Sequence, residues 1–386
     1  MIESPAAVLA ALAGTAAFFF WIERATGWRV FRYIAPVIWI YATPVVLRNV
    51  GVFPASSLAY DVLRQYGLPS FIFLLLLAVD VKAAVRIMGK GVLVMLLGTS
   101  GVVLGAPVAY WVVHRWLAPD AWKGFGALAG SWIGGTGNMA AAAGGLETSP
   151  EQFGLAVLAD SIVYVVWLPL LLLSKQFAER FNRWTGVAAD RLEKMEAAAA
   201  AETVDDAPPE MRHYVYLAML ALSATAFAGW LSPRLPEVGV VLTTSTWNVL
   251  VLTAIGILAS FTPAKRIPGS HAVAMAIVYV FLASMGASAS LEGLAQAPAF
   301  LLGAFIWIFI HGIFCLAGAR IFRIDVHSAA IASAANIGGA ASAPVVAAHH
   351  RETLVPVSIL MALLGYAMGT PLAILTGHLC RLAGGG

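Results

Sequence analysis

Apolar residues recur along this chain in long uninterrupted runs, with neither the alternation of a half-buried strand nor the narrow stripe of a surface helix. The runs cover roughly 5–22, 33–50, 67–81, 91–113, 154–174, 213–231, 238–261, 271–291, 297–319 and 354–379. Most approach the ~20 residues that a helix needs to cross a bilayer, so they predict ten spanning helices. Leu, Ala and Val dominate them, which fits a helical bundle and not a transmembrane barrel. Two further stretches, SWIGGTGNMAAAAGG (Ser131 to Gly145) and SAANIGGAASAPVVAA (Ser333 to Ala348), are apolar yet crowded with Gly, Ser, Thr and Asn. Their backbone is expected to break within the membrane, as re-entrant hairpins over about 124–147 and 328–349.

Composition agrees with a membrane protein. The 386 residues are 60% hydrophobic and 11% charged, with a mean hydropathy of +0.85. That is beyond what a soluble core requires. Met1-Ile2-Glu3-Ser4 lacks the basic start of a signal peptide, so the first run is read as a permanent span. Cys315 and Cys380 fit no metal or redox spacing and are read as packing residues. The net charge of +3 reflects basic loops and gives no sign of nucleic-acid binding.

Enzyme classes find no support. His-Glu-x-x-His is absent, and Tyr60-Asp61 is followed by no Gly-x-Gly-Asp on a later span. GGTGNM is no dinucleotide fingerprint, because no strand precedes it and Ala140 replaces the third glycine.

If both glycine segments return to the side they enter from, the basic residues sort by side. Arg48, Arg64, Arg115, Lys123, Arg234 and Arg381 fall on one side, and the other 17 of the 23 Lys and Arg on the opposite, cytoplasmic one. Both termini then face the periplasm across a bacterial inner membrane. The chain divides into a first repeat (1–176), a cytoplasmic linker (177–212) and a second repeat (213–386), each repeat holding five spans and one hairpin. An odd number of crossings per half inverts the second copy. Landmarks recur in order: Phe73 matches Phe281, which aligns Asp80 with Ser288 and Lys82 with Ser290. Gly134-Gly135 precedes Pro169 by much the same interval as Gly338-Gly339 precedes Pro371.

Inverted copies bring the two glycine tips together near mid-bilayer, where half-helix ends offer N–H groups to an anion and carbonyls to a cation. Ser131, Thr136, Asn138, Asn336 and Ser342 add oxygens and amides, and Trp132 adds either a stacking surface or an interface anchor. Oxygen-only ligation suits a hard cation such as Na⁺. Asp160, an acid inside an apolar run, is a candidate to couple Na⁺ or H⁺ with Ser161, Asn138 and Asn336, with a structural hydrogen bond to the hairpin backbone as the alternative. Asp80, Ser288 and Ser290 are possible polar support, and Asp80 beside Lys82 equally reads as an interfacial pair. His311 reads as a packed core histidine. A carrier of small solutes follows, with an ion or solute channel, or an H⁺-coupled carrier or exporter, as alternatives.

FWIER, LLLLAVDVKAA, GALAGSWIGGTGNMAA, LADSIVYVVW, FLASMGASASL and ASAANIGGAASAP together resemble the YjcL-like family of bacterial membrane proteins, a domain of unknown function. The glycine motifs also look like the hairpin tips of the sodium/glutamate symporter and 2-hydroxycarboxylate (citrate) carrier families. That wider likeness implies an elevator-type homodimer, Na⁺ coupling and small carboxylate or amino-acid substrates. It implies a site at Ser131, Gly134, Gly135, Thr136 and Asn138 with Asn336, Gly338, Gly339 and Ser342. The chain departs from the carboxylate carriers in having no arginine at either tip, which leaves a zwitterionic amino acid or short peptide equally open.

Overall fold

The structure is a computed structural model that describes residues 2, 4–28, 30–33, 36–79, 89–188, 191, 208–238, 242–288 and 295–385. Asp80, Lys82 and Ser290 lie outside them. Among the described residues the fold is all-helical, with a single isolated bridge between Val238 and Leu242. The main helices are α1 (Pro5–Thr26), α2 (Pro36–Asn49), α3 (Leu68–Leu77), α4 (Gly91–Val113), α5 (Ala121–Gly145), α6 (Pro150–Leu173) and α7 (Met211–Leu231). There follow α8 (Thr244–Ser260), α9 (Ser270–Ser288), α10 (Ala297–Phe322), α11 (Val326–Asn336), α12 (Gly339–His350) and α13 (Val355–Ala383).

Helix starts differ from the apolar runs where capping chemistry decides. α6 begins four residues before its run because Pro150 occupies the first turn and the Ser149 hydroxyl accepts the Gln152 N–H at 3.3 Å. α8 begins six residues into its run, where the Thr243 hydroxyl accepts the Thr246 N–H at 3.2 Å. Among the described residues, seven helices are long and apolar enough to cross a membrane, counting α4 and α7 with their adjoining turns and α6 with its helical continuation to Thr185, and α8 is a shorter apolar helix. α2 has 14 residues. Ahead of α3, Leu58–Val62 continues through a π-helical turn, Leu63–Gly67. Pro69 accounts for that turn, since it lacks the N–H an α-helical register would require.

Both glycine segments fold back on themselves. In α5, Gly135 has φ 77° and ψ −176°. That conformation is essentially confined to glycine. The arms on either side lie antiparallel: the Lys123 ammonium reaches the Glu147 carbonyl at 3.2 Å, and the Thr148 hydroxyl reaches the Lys123 carbonyl at 3.4 Å. An unbroken helix would hold residues 123 and 147 about 36 Å apart. α11 and α12 form the second pair, parted at Ile337 and at Gly338 with φ 100°. Their far ends meet where His327 Nδ1 lies 3.0 Å from His350 Nδ1. A continuous helix would separate those residues by about 35 Å.

α13 measures how the two pairs stand. It leaves directly from the open end of the second pair, while near its other end a methyl on Gly377 would meet the Gly126 Cα, in the first pair, at 3.3 Å. Residues 355 and 377 are separated by about 33 Å of helix. The folded tips touch α13 midway, where Gly365 abuts the Ile133 carbonyl and the Thr370 hydroxyl donates to Asn138. α6 runs between the same two ends, leaving the first pair at Pro150 and ending where the Leu171 carbonyl meets His350 Nε2 at 2.9 Å. The two pairs thus enter from opposite ends of one bundle.

Candidate functional site

The two tips are in contact. A methyl added to Gly339, which has φ 57°, would lie 3.4 Å from the Gly135 Cα, and the Tyr366 ring of α13 packs against both glycines. Four helix ends therefore converge: two C-termini at Gly134 and Asn336, two N-termini at Thr136 and Gly339. Helix ends carry unsatisfied carbonyls or N–H groups, so the junction offers main-chain ligands of both signs.

Asn138 and Asn336 each tie a break to a passing helix. Asn138 donates from Nδ2 to the Gly134 carbonyl at 2.9 Å and accepts from the Thr370 hydroxyl at 2.6 Å. Asn336 donates to the Met95 carbonyl at 3.1 Å and accepts from the Thr99 hydroxyl at 3.2 Å. Both side chains are fully buried. Gly369 and Gly98 precede the two threonines and press directly on the amides, an approach that any side chain there would block.

Asp160 lies midway along α6 with both carboxylate oxygens engaged by the first arm of α5. The Ser131 hydroxyl donates to Oδ2 at 2.9 Å, and Trp132 Nε1 donates to Oδ1 at 2.9 Å. Trp132 is buried against Trp307, ring centroids 4.5 Å apart. Its indole therefore serves packing and Asp160 rather than presenting an open face. Ser161 turns to its own helix at the Val157 carbonyl, 2.8 Å, and Asn138 points to α13, so neither completes a cluster at Asp160. Thr136 is half-buried one residue past the break, and its hydroxyl has no partner among the described residues. Ser342 and the Tyr164 ring of α6 both press on Gly338. Ser288 bonds the Ser284 carbonyl of its own helix at 2.9 Å, away from the tips. Among the described residues no three His, Cys, Asp or Glu side chains gather to hold a metal ion.

A second buried network escaped the motif reading. His311 Nδ1 meets the Gly98 carbonyl at 2.9 Å, and Ser333 Oγ lies 3.0 Å from His311 Nε2. Donation to the carbonyl fixes Nε2 as an acceptor. Trp167 Nε1 donates to the same hydroxyl at 3.0 Å. Ser333 thus joins α11 to α6 and α10. The clue in the sequence is the Gly-Thr pair, Gly98-Thr99 and Gly369-Thr370, placed mid-run in two apolar helices.

Helices of spanning length enclosing a buried polar junction define a polytopic α-helical membrane protein. Residues 10–382 match the family described as "Protein of unknown function (DUF819)", and the chain belongs to that family. It is 28% identical over 352 residues to the "Uncharacterized membrane protein YjcL" of Bacillus subtilis (strain 168), covering 87% of each chain.

Proposed function

We propose that the chain is a cation-coupled secondary transporter of a small polar organic solute, such as an amino acid, a short peptide or a carboxylate. The observation that carries this reading is the meeting of two glycine-broken tips midway along α13, reached from opposite ends of the bundle. Transporters built from inverted repeats place such broken helices at the bilayer midplane, where half-helix ends bind solute and ion. In this reading the two arm pairs are re-entrant hairpins, α2 and the segment 58–77 complete ten spans, and the linker is cytoplasmic. Both termini are periplasmic and two copies pair in the inner membrane.

The asparagine amides are consumed in holding the breaks, so the ion ligands in this reading are main-chain carbonyls at the tips with the Thr136 hydroxyl. Na⁺ suits such a set because it is a hard cation. Asp160 balances charge nearby. Movement is of the elevator kind: the second arm of α5 presents Gly137 and Gly144 to Leu75 and Leu68 of α3, a smooth face on which one body slides past the other.

The test is accumulation of candidate solutes in liposomes carrying the purified protein, under an imposed Na⁺ or H⁺ gradient. Candidates come from a screen for thermal stabilisation with and without Na⁺, because a ligand that prefers the folded state stabilises it. Saturable, gradient-driven uptake, lost in both Asn138→Ala and Asn336→Ala while insertion persists, supports the proposal. Unsaturable flux indifferent to either gradient refutes it in favour of a pore.

A further inference from the structure

Away from the tips, α3, α7, α8, α9 and the open end of the first arm pair surround a cavity of about 850 Å³. That volume lies within the range of about 300–1,000 Å³ typical of small-molecule sites. We infer that this cavity binds a zwitterionic solute with an apolar body, an amino acid or short peptide, its carboxylate taken by Arg64 and its ammonium by Glu147. The inference rests on the transporter reading and assigns that transporter a solute class and an entry site.

Among the described residues, Arg64 and Glu147 are the two formally charged side chains on the cavity wall. Arg64 makes no ion pair or hydrogen bond among the described residues. Arg64 is an exposed side chain, so solvent and solutes reach its guanidinium, which suits a carboxylate bidentately. The π-helical turn Leu63–Gly67 presents it, and such turns gather at functional positions. Glu147 sits just past the end of α5 with φ 52°. Glycine would fit there with less strain, so the carboxylate sits on a backbone conformation that side chains rarely adopt. One of its carboxylate oxygens accepts from Ser245 at 2.7 Å, and the other is open. Lys123 bonds its main-chain carbonyl, not the carboxylate. The rest of the wall is mixed: Leu68, Leu222, Val249, Phe281 and Met285 are apolar, while Gln65, Thr225, Asn248 and Ser284 add polar points. One cation, one anion and a partly apolar wall match the ends and body of a zwitterion.

The purified full-length protein is titrated with L-leucyl-L-leucine, its C-terminal amide and its N-acetyl form, reading the thermal midpoint. The free dipeptide should stabilise, and each blocked form should need at least about tenfold more for the same shift, since a charged hydrogen bond is lost. Arg64→Gln should erase the preference over the amide only, and Glu147→Gln the preference over the N-acetyl form only. Equal response to all three forms, no response to any, or retention of both preferences in the variants overturns the inference. A phosphatidylethanolamine headgroup carries the same two charges; stabilisation by that lipid in mixed micelles with none by the dipeptide also overturns it. Failure of the transporter reading looks different: charge-selective binding persists in the wild type, yet no gradient drives uptake of any bound solute.

Discussion

Asn138→Ala tests whether the first break is held as described. The substitution removes the 2.6 Å bond from Thr370 and the 2.9 Å bond to the Gly134 carbonyl, at a fully buried position. Side-chain hydrogen bonds between membrane helices average ~0.6 kcal/mol and reach ~1.7 kcal/mol, and a short, buried bond belongs toward the upper value. The Gly134 carbonyl ends an arm at a residue turned away by Gly135. Orphaning a buried carbonyl costs about 1–3 kcal/mol. Together these give about 2–4 kcal/mol of destabilisation, moderated because the Thr370 hydroxyl can turn to a carbonyl of its own helix. Unfolding in mild detergent is measured for the wild type, Asn138→Ala, Thr370→Val and the double variant. We expect a coupling of about 1 kcal/mol between the two positions. Effects that add to within about 0.3 kcal/mol would mean the two side chains do not meet, and the account of the break would fail.

Gly135→Ala should destabilise by about 1–3 kcal/mol, because its backbone angles exclude a β-carbon; a loss below about 0.5 kcal/mol in the same unfolding assay would contradict the observed break. Asp160→Ala should cost more stability than Asp160→Asn, since alanine orphans both the Ser131 hydroxyl and Trp132 Nε1 while asparagine keeps one acceptor. Transport by Asp160→Asn with unaltered dependence on Na⁺ and pH would return this acid to a structural role. Ser333→Ala leaves Trp167 Nε1 and His311 Nε2 without the hydroxyl they share. The expected cost is about 2 kcal/mol, visible as a lowered unfolding midpoint, and unchanged stability would dissolve that network.

The helical character and the places where helices break were legible because both are local. About twenty apolar residues dictate a helix whatever surrounds them, and clustered glycines weaken one in the same way. α4 matches its apolar run from Gly91 to Val113 without adjustment. Partners across the bundle were not legible. Asn138 stood out as an amide in an apolar segment, but nothing in its neighbourhood names Thr370, 232 positions away. Trp132 was open to a stacking role, and only the burial of its ring against Trp307 gives it a different one. Asp160 was identified by the cost of a carboxylate among Ala and Val, while its two donors depend on how α5 folds back. The Arg64 and Glu147 cavity left no trace in sequence, because its wall is drawn from well-separated segments.

The two breaks are held by exchange. The first glycine segment lies in the first half of the chain, yet its asparagine is bound by Thr370 of α13, in the second half. The second glycine segment is bound by Thr99 of α4, in the first half. In both cases a glycine just before the threonine lets the amide approach, and in both the amide carbonyl accepts while the amide nitrogen satisfies a main-chain carbonyl. A broken helix in a bilayer leaves polar backbone that water cannot reach, so it persists only where neighbouring protein supplies partners. Here each half supplies part of what the other lacks. Each glycine segment takes a hydrogen-bond partner from the other half of the chain, and the junction where they touch is built from both. Motion that carries one tip must then carry α4, α13 and the other tip with it, which is why the two breaks are expected to travel as one body.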